Sequence, residues 1–453
     1  MRTGKRKGNR AAVSLNAAFD NGYNTGFDAG HTHGAALGFE KGKDSFAAGF
    51  EGTSIVIPTY NQQPYLADCI ESIGAYTPEP HEIIVVDNGS TDGTADYLRS
   101  LRSRTVRYKI CERNLGFAGG VNQGLMMARG STVMFLNNDT VVTENWLSNQ
   151  LACLHGKERA GLVGPMTNYI SGEQLVGTTY RSVEEMHRFA KTFNRRDPAK
   201  WHVTNRLTGF CVLMRRDVFH RIGYLDEGFE IGNCEDDDFG FRNRLIGLDL
   251  VIAKDTFVHH VGSTTIKTLT PAEFEAMYAR NLAFYSDKWG DTHSLLLEAS
   301  AHFRGDPLAV NDYYPSHVTV KGTASTAYWI ERGVRRPLEH SEGVRATRLS
   351  QIELKNWPLG SPISAAEWNA KQAALMAAAG PGEPPAEGEL VRTPDGKLHQ
   401  HRSGRLHRIV SAWAAEVWDL NRYRIRSLAE SETANFAAGL PIIAPPVIKA
   451  DNI

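Results

Sequence analysis

Residues 53–90 read TSIVIPTYNQQPYLADCIESIGAYTPEPHEIIVVDNGS, and this stretch decides the fold class. Its two apolar runs, TSIVIPTYN and HEIIVVDNGS, are short and rich in Ile and Val, as buried strands are. The segment between them, YLADCIESIGAY, has the spacing of an amphipathic helix. A further run, STVMFLNNDT, begins at residue 131. Buried strands separated by helices predict an α/β domain with a doubly wound, mostly parallel sheet and helices on both faces.

The residues that end each apolar run are the first candidates for binding, because ligands of such sheets bind at the carboxyl ends of strands. These residues are Pro58, Thr59 and Tyr60, then Asp87, Asn88 and Gly89, then Asn137, Asn138 and Asp139. A carboxylate at Asp87 can accept a hydrogen bond from a pyrimidine ring N–H or from a ribose hydroxyl. Asp139 suits Mg²⁺ or Mn²⁺, hard cations that take carboxylate oxygen and bridge to diphosphate oxygens. A strand-end Asp is also a common turn residue, so neither aspartate decides the function alone.

A glycine-containing segment, NLGFAGGVNQGLMMARG, follows from residue 114 and precedes an amphipathic helix. Glycines at a helix start let the backbone approach a phosphate, and the helix dipole favours the anion. The segment has no GKS or GKT, and its glycines do not reproduce a GxGxxG fingerprint. Nucleotide-dependent phosphoryl transfer and hydride transfer therefore both lose support.

Composition sets outer limits on the function. The 453 residues are 42% hydrophobic, and 50 Lys and Arg stand against 51 Asp and Glu, giving a net charge of -1. Such a chain has no global field to steer nucleic acid, so we expect no nucleic-acid partner. Its five scattered cysteines predict reduced thiols, and the absence of a long apolar run predicts no transmembrane span. We therefore expect a cytoplasmic protein, with peripheral attachment at the inner face of the membrane left open.

The chain divides into three regions by pattern. Residues 1–50 carry a glycine at every fourth position from Gly22 to Gly42, which predicts either a self-associating helix or a flexible tail. Residues 51–300 form the α/β domain, and residues 301–453 form a small C-terminal module. Two loose repeats, at about 322–363 and 388–442, each close in Gly-x-Pro-Ile. Homo-oligomerisation through residues 20–50 or through the C-terminal module is a further expectation.

Seven motifs in order carry a resemblance to a known family. They are TSIVIPTYNQQPYLADCIESI, EIIVVDNGSTDGT, NLGFAGGVNQGLMMARG, VMFLNNDTVVTENWL, LTGFCVLMRRDVFHRIGYLDEGF, CEDDDFGFRNRLIG and HHVGSTT. Together they closely resemble the family 2 glycosyltransferases of the GT-A fold, nearest to the rhamnosyltransferase-like and protein-glycosylating branches. The resemblance covers roughly residues 53–270 and neither the glycine repeat nor the C-terminal module.

The resemblance implies a role for each matching residue. It implies a nucleotide-sugar site made of Pro58, Thr59, Tyr60, Asp87, Asn114, Gly120, Asn137, Asn138, Asp139 and Gly209. Asn137, Asn138 and Asp139 occupy the family's DxD position but keep only the last carboxylate. Asp139 would therefore hold the metal, Mg²⁺ or Mn²⁺, together with His260, and His259 is the alternative ligand.

The acidic run EDDDFGFR, residues 235–242, resembles the family's EDxDxxxR element. The resemblance implies that Asp236 is the catalytic base and that Glu235 orients the acceptor or supports Asp236. The plain alternative is a charged helix start that the dipole favours.

The expected function follows from these roles. It is inverting, metal-dependent transfer of a hexosyl group from a UDP- or dTDP-sugar to a hydroxyl of a surface glycan, a lipid-linked oligosaccharide or a protein, as in polysaccharide biosynthesis. A glycan-binding scaffold on a degenerate GT-A core is the alternative from another class. A nucleotidyltransferase would need a Gly/Arg/Lys signature at the first strand, and IPTYNQQPYL has none.

Overall fold

The computed structural model describes residues 49–262, 270–377 and 383–453. The predicted glycine-repeat segment, and with it the expected self-association through residues 20–50, lies outside the described residues except for its last two. The end of the HHVGSTT motif, from residue 263, also lies outside them. Glu51–Ile453 forms one compact unit.

Within the described residues, eight strands form one large sheet in the order β3-β2-β1-β4-β8-β6-β9-β7. They are β1 (Phe50–Thr59), β2 (His81–Asp87), β3 (Val106–Ile110), β4 (Gly130–Leu136), β6 (Ala160–Met166), β7 (Trp201–Thr204), β8 (Cys211–Arg215) and β9 (Asp249–Phe257). Two short strands, β5 (Thr140–Val141) and β10 (His259–His260), pair beside it.

The strands of this sheet are mostly parallel, as predicted. β1, β2 and β3 run parallel to one another, and β6 runs parallel to β9. β8 is antiparallel to both β4 and β6, and β7 is antiparallel to β9. The reversed strand β8 carries the segment that begins at Cys211, so Gly209 and Phe210 enter the sheet beside the carboxyl end of β4.

Helices cover both faces of the sheet. They are α1 (Gln63–Tyr76), α2 (Thr94–Ser100), α3 (Gly116–Met127), α4 (Trp146–Gly156), α5 (Val183–Phe193), α6 (Arg216–Ile222), α7 (Glu235–Leu245), α8 (Pro271–Trp289) and α9 (Thr292–Ser300). Alternate residues of β1 enter different cores: Ile55 and Ile57 pack towards α1 and α4, whereas Val56 packs towards α3 and α7. This alternation explains why the strand is apolar throughout, since a sheet covered on both faces has no solvent side.

The C-terminal region forms two smaller sheets. The first contains β11 (Val318–Lys321), β12 (Ala327–Glu331), β13 (Val334–Pro337) and β14 (Thr347–Arg348), followed by α10 (Gln351–Asn356) and α11 (Ala365–Met376). The second contains β15 (Leu390–Arg392), β16 (Leu398–Arg402), β17 (Arg405–Arg408), β18 (Ile425–Ser427) and β19 (Ala437–Ala438), with α12 (Ala412–Val417) and α13 (Glu430–Thr433).

The two stretches that carry the loose sequence repeats have corresponding elements. In each, a hairpin turns through two residues of positive φ, Arg332–Gly333 in one and Ser403–Gly404 in the other, as the tightest hairpins require. In each, the Ile of Gly-x-Pro-Ile then pairs in parallel just beyond the hairpin, Ile363 with Leu338 and Ile442 with Ile409.

One hydrophobic core runs through both the large sheet and the C-terminal region. It contains Val56 of β1 and Phe239 of α7 together with Trp329 and Trp418 of the C-terminal region. The predicted boundary between residues 300 and 301 therefore falls inside a shared core, and the division into two domains there stays a prediction. None of the helices in the described residues is long and apolar enough to cross a membrane.

Candidate active site

The carboxyl ends of the central strands open into a cleft of about 1650 Å³. Its walls come from the ends of β1 and β4, the loop before α3, the start of α7 and, unexpectedly, residues 449–452. Ordinary ligand pockets have volumes of about 300–1,000 Å³. This cleft therefore has room for two substrates side by side.

Most of the residues predicted from the sequence line this cleft. The predicted residues on its walls are Pro58, Thr59, Tyr60, Asn114, Asn137, Asn138, Asp139, Gly209, Glu235, Asp236 and His260. Asp87, Gly120 and His259 are not among the lining residues. The fold thus brings together side chains from positions about 200 residues apart in the sequence.

Asp87 lies below the wall of the cleft. Its side chain is fully buried, and its Oδ1 accepts a hydrogen bond from the backbone N–H of Ser90 at 2.9 Å, which closes the turn after β2. The neighbouring Asn88 lines the cleft instead and organises the loop before α3, donating from Nδ2 to Asn114 at 3.0 Å and to the carbonyl of Gly116 at 2.8 Å. A role for Asp87 in recognising base or ribose stays a prediction.

Gly120 lies behind the same wall. A Cβ added there would come within 3.3 Å of both Asn88 Nδ2 and Pro58 Cβ. The glycine therefore permits close packing of α3 against the strand ends, and it does not face the cleft.

Asp139 and His260 meet at the bottom of the cleft, where Nε2 of the imidazole lies 3.1 Å from Oδ1 of the carboxylate. The other ring nitrogen, Nδ1, lies 2.9 Å from the carbonyl oxygen of Tyr169, which can only accept a hydrogen bond. In the neutral ring Nδ1 therefore carries the proton, and Nε2 presents its lone pair towards the carboxylate. Phe210 stacks on the imidazole at 13° and 5.4 Å and fixes its plane.

His259 faces the opposite side of β10, because successive side chains of a strand alternate. Its Nδ1 lies 2.6 Å from the hydroxyl of Tyr180. Burial and the neighbouring His260 lower the pKa of His259. Of the two histidines, His260 is the one on the cleft wall.

Asp236 lies at the start of α7 with its carboxylate held by backbone N–H groups. Oδ2 accepts from Gly209 at 2.9 Å and Oδ1 accepts from Asp237 at 3.0 Å. Burial, and after it the charge of Asp237, raises the pKa of Asp236 to about 6, although the Gly209 hydrogen bond and Arg206 oppose the rise. A carboxyl with such a pKa is ionised at neutral pH and still basic enough to accept a proton.

Glu235 is buried beside Asp236, and its pKa is raised well above the ordinary value by burial and by the Asp236 charge. Two adjacent carboxyls in a poorly solvated site do not ionise together easily. Glu235 Oε2 has no hydrogen-bond partner among the described residues, and neither do Asn137 Oδ1 and Asn233 Nδ2. All three residues line the cleft, and buried polar atoms without partners indicate where a ligand binds.

The other two acids of the run point elsewhere. Asp237 pairs with Arg206 at the mouth of the cleft, Oδ1 to Nε at 2.7 Å. Asp238 is fully buried and accepts from Arg242 Nε at 2.9 Å and from Trp289 Nε1 at 3.0 Å. Lys288, also fully buried, bridges Asp238 to Asp226. This buried cluster fixes α7 to α8 and so holds the start of α7 in the cleft wall.

The part of the chain that supplies the strand-end residues of this cleft also matches a known family in sequence. Residues 54–223 match the profile of Glycosyl transferase family 2. This part of the chain is a family 2 glycosyltransferase domain. The glycosyltransferase domain has the mostly parallel α/β sheet that the resemblance to the GT-A fold implies.

Individual relatives of the glycosyltransferase domain are distant. Glycosyltransferase GlyG of Streptococcus pneumoniae is 30% identical over 118 residues, which are 26% of this chain and 39% of that protein. Putative glycosyltransferase EpsH of Bacillus subtilis is 26% identical over 250 residues, which are 52% of this chain and 69% of that protein. The chain thus spans well under half of the first relative.

Among solved structures, a mannosyltransferase from Pyrobaculum calidifontis in complex with GDP-Man and Mn²⁺ is 18% identical, with a TM-score of 0.38. The match covers 61% of this chain and 79% of the mannosyltransferase. A likeness of this size assigns no ligand to the glycosyltransferase domain.

Several parts of the cleft wall were not anticipated from the sequence, among them Arg206 and residues 449–452. Arg206 precedes the LTGF motif without any local signal of its own. We name residues 447–453 the C-terminal strap. The strap is held at the cleft by a residue more than 200 positions earlier in the sequence, since Glu227 Oε2 accepts from the N–H of Lys449 at 2.7 Å. The strap is held on its other side by Arg348, which donates to the carbonyl of Ile453 at 2.9 Å. Sequence patterns of neighbouring residues carry no information about such a contact.

Proposed function

We propose that this protein is an inverting, metal-dependent glycosyltransferase that moves a hexosyl group from a UDP- or dTDP-sugar to an acceptor hydroxyl. The acceptor would be a surface glycan, a lipid-linked oligosaccharide or a protein.

The observation that carries the proposal is the position of Gly209 and Phe210. Gly209 donates its N–H to Asp236 Oδ2, and the next side chain, Phe210, stacks on His260, which contacts Asp139. Gly209 and Phe210 thus connect Asp236, a carboxyl basic enough to accept a proton, with the pair of Asp139 and His260, which is suited to a cation. A transfer reaction needs both, one for the acceptor and one for the diphosphate leaving group.

The donor set of Asp139 and His260 fits Mg²⁺ or Mn²⁺. Neighbouring ligands of an octahedral ion with bonds of about 2.1 Å lie roughly 3 Å apart, and the two ligand atoms are 3.1 Å apart. The hydrogen bond from Nδ1 of a metal-binding histidine to a backbone carbonyl is the usual supporting contact, and Tyr169 supplies that carbonyl. A bound divalent ion would supply positive charge to the diphosphate leaving group.

The residues of the chain would then perform two tasks. Asn138 donates to Thr59 Oγ1 at 2.8 Å, which joins the ends of β1 and β4 where the nucleotide would bind. Asp236 would accept the proton of the attacking hydroxyl, a contribution of roughly 10²–10⁴-fold to the rate. Direct attack by that hydroxyl on the face opposite the leaving group would invert the anomeric configuration.

A donor-hydrolysis assay tests the proposal. UDP-, dTDP- and GDP-sugars are incubated with the protein and Mn²⁺, and release of the nucleoside diphosphate is measured with and without EDTA. We expect turnover of at least one pyrimidine donor that EDTA abolishes. Asp236→Asn should lower the rate at least 100-fold, and Asp139→Ala should remove the response to Mn²⁺.

The matched control is Asp217→Asn. Asp217 is an exposed aspartate in the first turn of α6, as Asp236 is in the first turn of α7, and it lies outside the cleft. It should retain full activity. Absence of turnover with every donor would refute the enzyme and favour a glycan-binding scaffold. Equal rates in Asp236→Asn and Asp217→Asn would refute the assignment of the base.

A further inference from the structure

Two aromatic rings on α8 extend the cleft outward at the mouth. Phe274 and Tyr278 are one turn apart on the helix, and their rings are parallel within 4° at a centroid distance of 6.1 Å. Phe274 lines the cleft together with Ile231. The Tyr278 side chain is 41% exposed and Ile231 is 45% exposed. We name Phe274 and Tyr278 the aromatic ledge.

A charged pair beside the base reaches the wall of the same cleft. Arg206 donates to Asp237, the residue that follows Asp236, and its NH1 lies 3.5 Å from Ser171 Oγ. Arg206 and Phe274 of the ledge are both lining residues of the cleft. The ledge and this pair therefore border the same cleft.

Apolar side chains also line the cleft near Arg206. Tyr169 and Leu175 are lining residues with exposures of 42% and 49%. The backbone of Tyr169 contacts His260, so this part of the wall adjoins the cation site. The mouth thus combines flat apolar faces with an ion pair, next to Asp236.

We propose that this mouth is a binding subsite for a saccharide acceptor, in which a sugar ring stacks on the aromatic ledge and Arg206 and Asp237 bind its hydroxyls. The inference rests on the proposed function and makes it narrower, because it selects a glycan from the three acceptor classes.

A pyranose ring matches both chemistries of the mouth. Its C–H face is apolar and flat enough to cover an aromatic ring. Its neighbouring hydroxyls donate to carboxylates and accept from guanidinium N–H groups, as a planar fork allows. An alkyl chain would cover the ring but would take water from the ion pair without replacing its hydrogen bonds, which is unfavourable.

Tyr278 gives the cleanest test because it is exposed and its removal leaves the core intact. Binding of neutral linear trisaccharides (maltotriose, cellotriose and tri-N-acetylchitotriose) to the full chain is measured by saturation-transfer NMR. We expect at least one to bind, and to bind roughly tenfold more weakly to Tyr278→Ala, the scale of one aromatic contact. Tyr278→Phe keeps the ring and should bind as the unsubstituted protein does.

The matched control is Tyr108→Ala, since Tyr108 is 40% exposed and lies on β3 outside the cleft lining. It should bind the trisaccharide normally. Once an acceptor trisaccharide is found, Tyr278→Ala should raise the KM for it while the donor KM stays within about twofold.

Three results would overturn the inference. The first is that none of the trisaccharides binds, and the second is that Tyr278→Ala and Tyr108→Ala bind the trisaccharide equally well. The third concerns n-octyl phosphate and a serine-containing peptide, which represent the lipid-linked and protein acceptors: Tyr278→Ala weakens the binding of one of these and not of a trisaccharide. Donor hydrolysis by the unsubstituted protein separates the two proposals. If the protein hydrolyses a donor but binds no trisaccharide, only the proposal of a saccharide subsite is refuted. If it binds a trisaccharide but hydrolyses no donor, both the acceptor role of the subsite and the proposed enzyme activity are refuted.

Discussion

Four consecutive acids at the start of α7 occupy four different environments. Glu235 is buried with a raised pKa, and Asp236 faces the cleft with a pKa of about 6. Asp237 pairs with Arg206 at the mouth. Burial opposes ionisation of Asp238, but the charges and hydrogen bonds of Lys288 and Arg242 outweigh burial and lower its pKa. The chemistry of each acid is set by its neighbours and not by its residue type, so only one of the four is suited to be a base.

The raised pKa of Asp236 predicts the pH dependence of transfer. A general base works when ionised, so kcat should rise as the pH rises through about 6. Asp237→Asn removes a charge that raises this pKa, so the acid limb should move to lower pH. Rate measurements between pH 4.5 and 8 with saturating donor test both statements.

Arg206→Ala should shift the pKa of Asp236 in the direction opposite to Asp237→Asn, so the two variants can be compared. Arg206 lowers the pKa of Asp236, so its loss should move the acid limb to higher pH. Limbs that coincide in the three proteins would mean that another group controls the rate.

Sequence reasoning identified the residues whose local motif is distinctive. Asp139 ends an apolar run and Asp236 lies in the EDxDxxxR pattern, and both line the cleft. Asp87 also ends a strand, but its carboxylate closes the following turn and is buried. The pattern predicts that a residue is at a strand end, whereas the direction of its side chain depends on the turn that follows. Arg206 has no motif and became visible only through its contact with Asp237.

At the scale of elements, α7 is held in place by buried ion pairs as well as by apolar packing. Lys288 contacts Asp226 and Asp238, and Arg242 contacts Asp238, all with side chains at 0% exposure. The negative charges of the two acidic side chains are balanced by the positive charges of the two basic side chains. Removing one partner leaves an uncompensated buried charge, which is far more unfavourable than losing an exposed pair.

Lys288→Met should therefore lower the free energy of unfolding by about 3–5 kcal/mol, measured by urea denaturation. Adding Asp226→Asn to this variant leaves Asp238 paired with Arg242 and should recover a substantial part of the loss. A double variant less stable than Lys288→Met would show that charge balance is not what the cluster contributes.

The order of elements was predictable because apolar runs and helical spacing are local properties. The reversal of β8 was not, since LTGFCVLMRR reads as a buried strand in either direction. Strand direction depends on where the connecting segments cross the sheet. This reversal is functionally important because it brings Gly209 next to Asp236.

At the scale of the whole molecule, the glycosyltransferase domain and the C-terminal region share a core. Trp418 is 1% exposed, donates from Nε1 to the carbonyl of Ile443 at 2.7 Å, and packs on Tyr314 at 4.9 Å. Shared burial couples the stability of the two regions, because neither can open without exposing the apolar surface of the other.

Residues 51–453 should therefore unfold in a single calorimetric transition. Trp418→Ala should destabilise this transition as a whole, by about 3–5 kcal/mol, because it leaves a large cavity. Leu297→Ala, at a position 60% exposed on α9, is the control and should leave the midpoint nearly unchanged. Two separate transitions, of which Trp418→Ala shifts the midpoint of only one, would instead support the domain boundary predicted at residue 300.

The C-terminal strap has a consequence for biosynthesis. Glu227 accepts from the backbone of Lys449 and of Ala450, at 2.7 and 3.1 Å. A nascent chain on the ribosome would carry Asp236 and Asp139 long before residue 449 is translated, by an interval of tens of seconds at the slower elongation rates. During that interval one wall of the cleft would be missing, so the newly made polypeptide would acquire a complete binding surface only after the strap has left the exit tunnel.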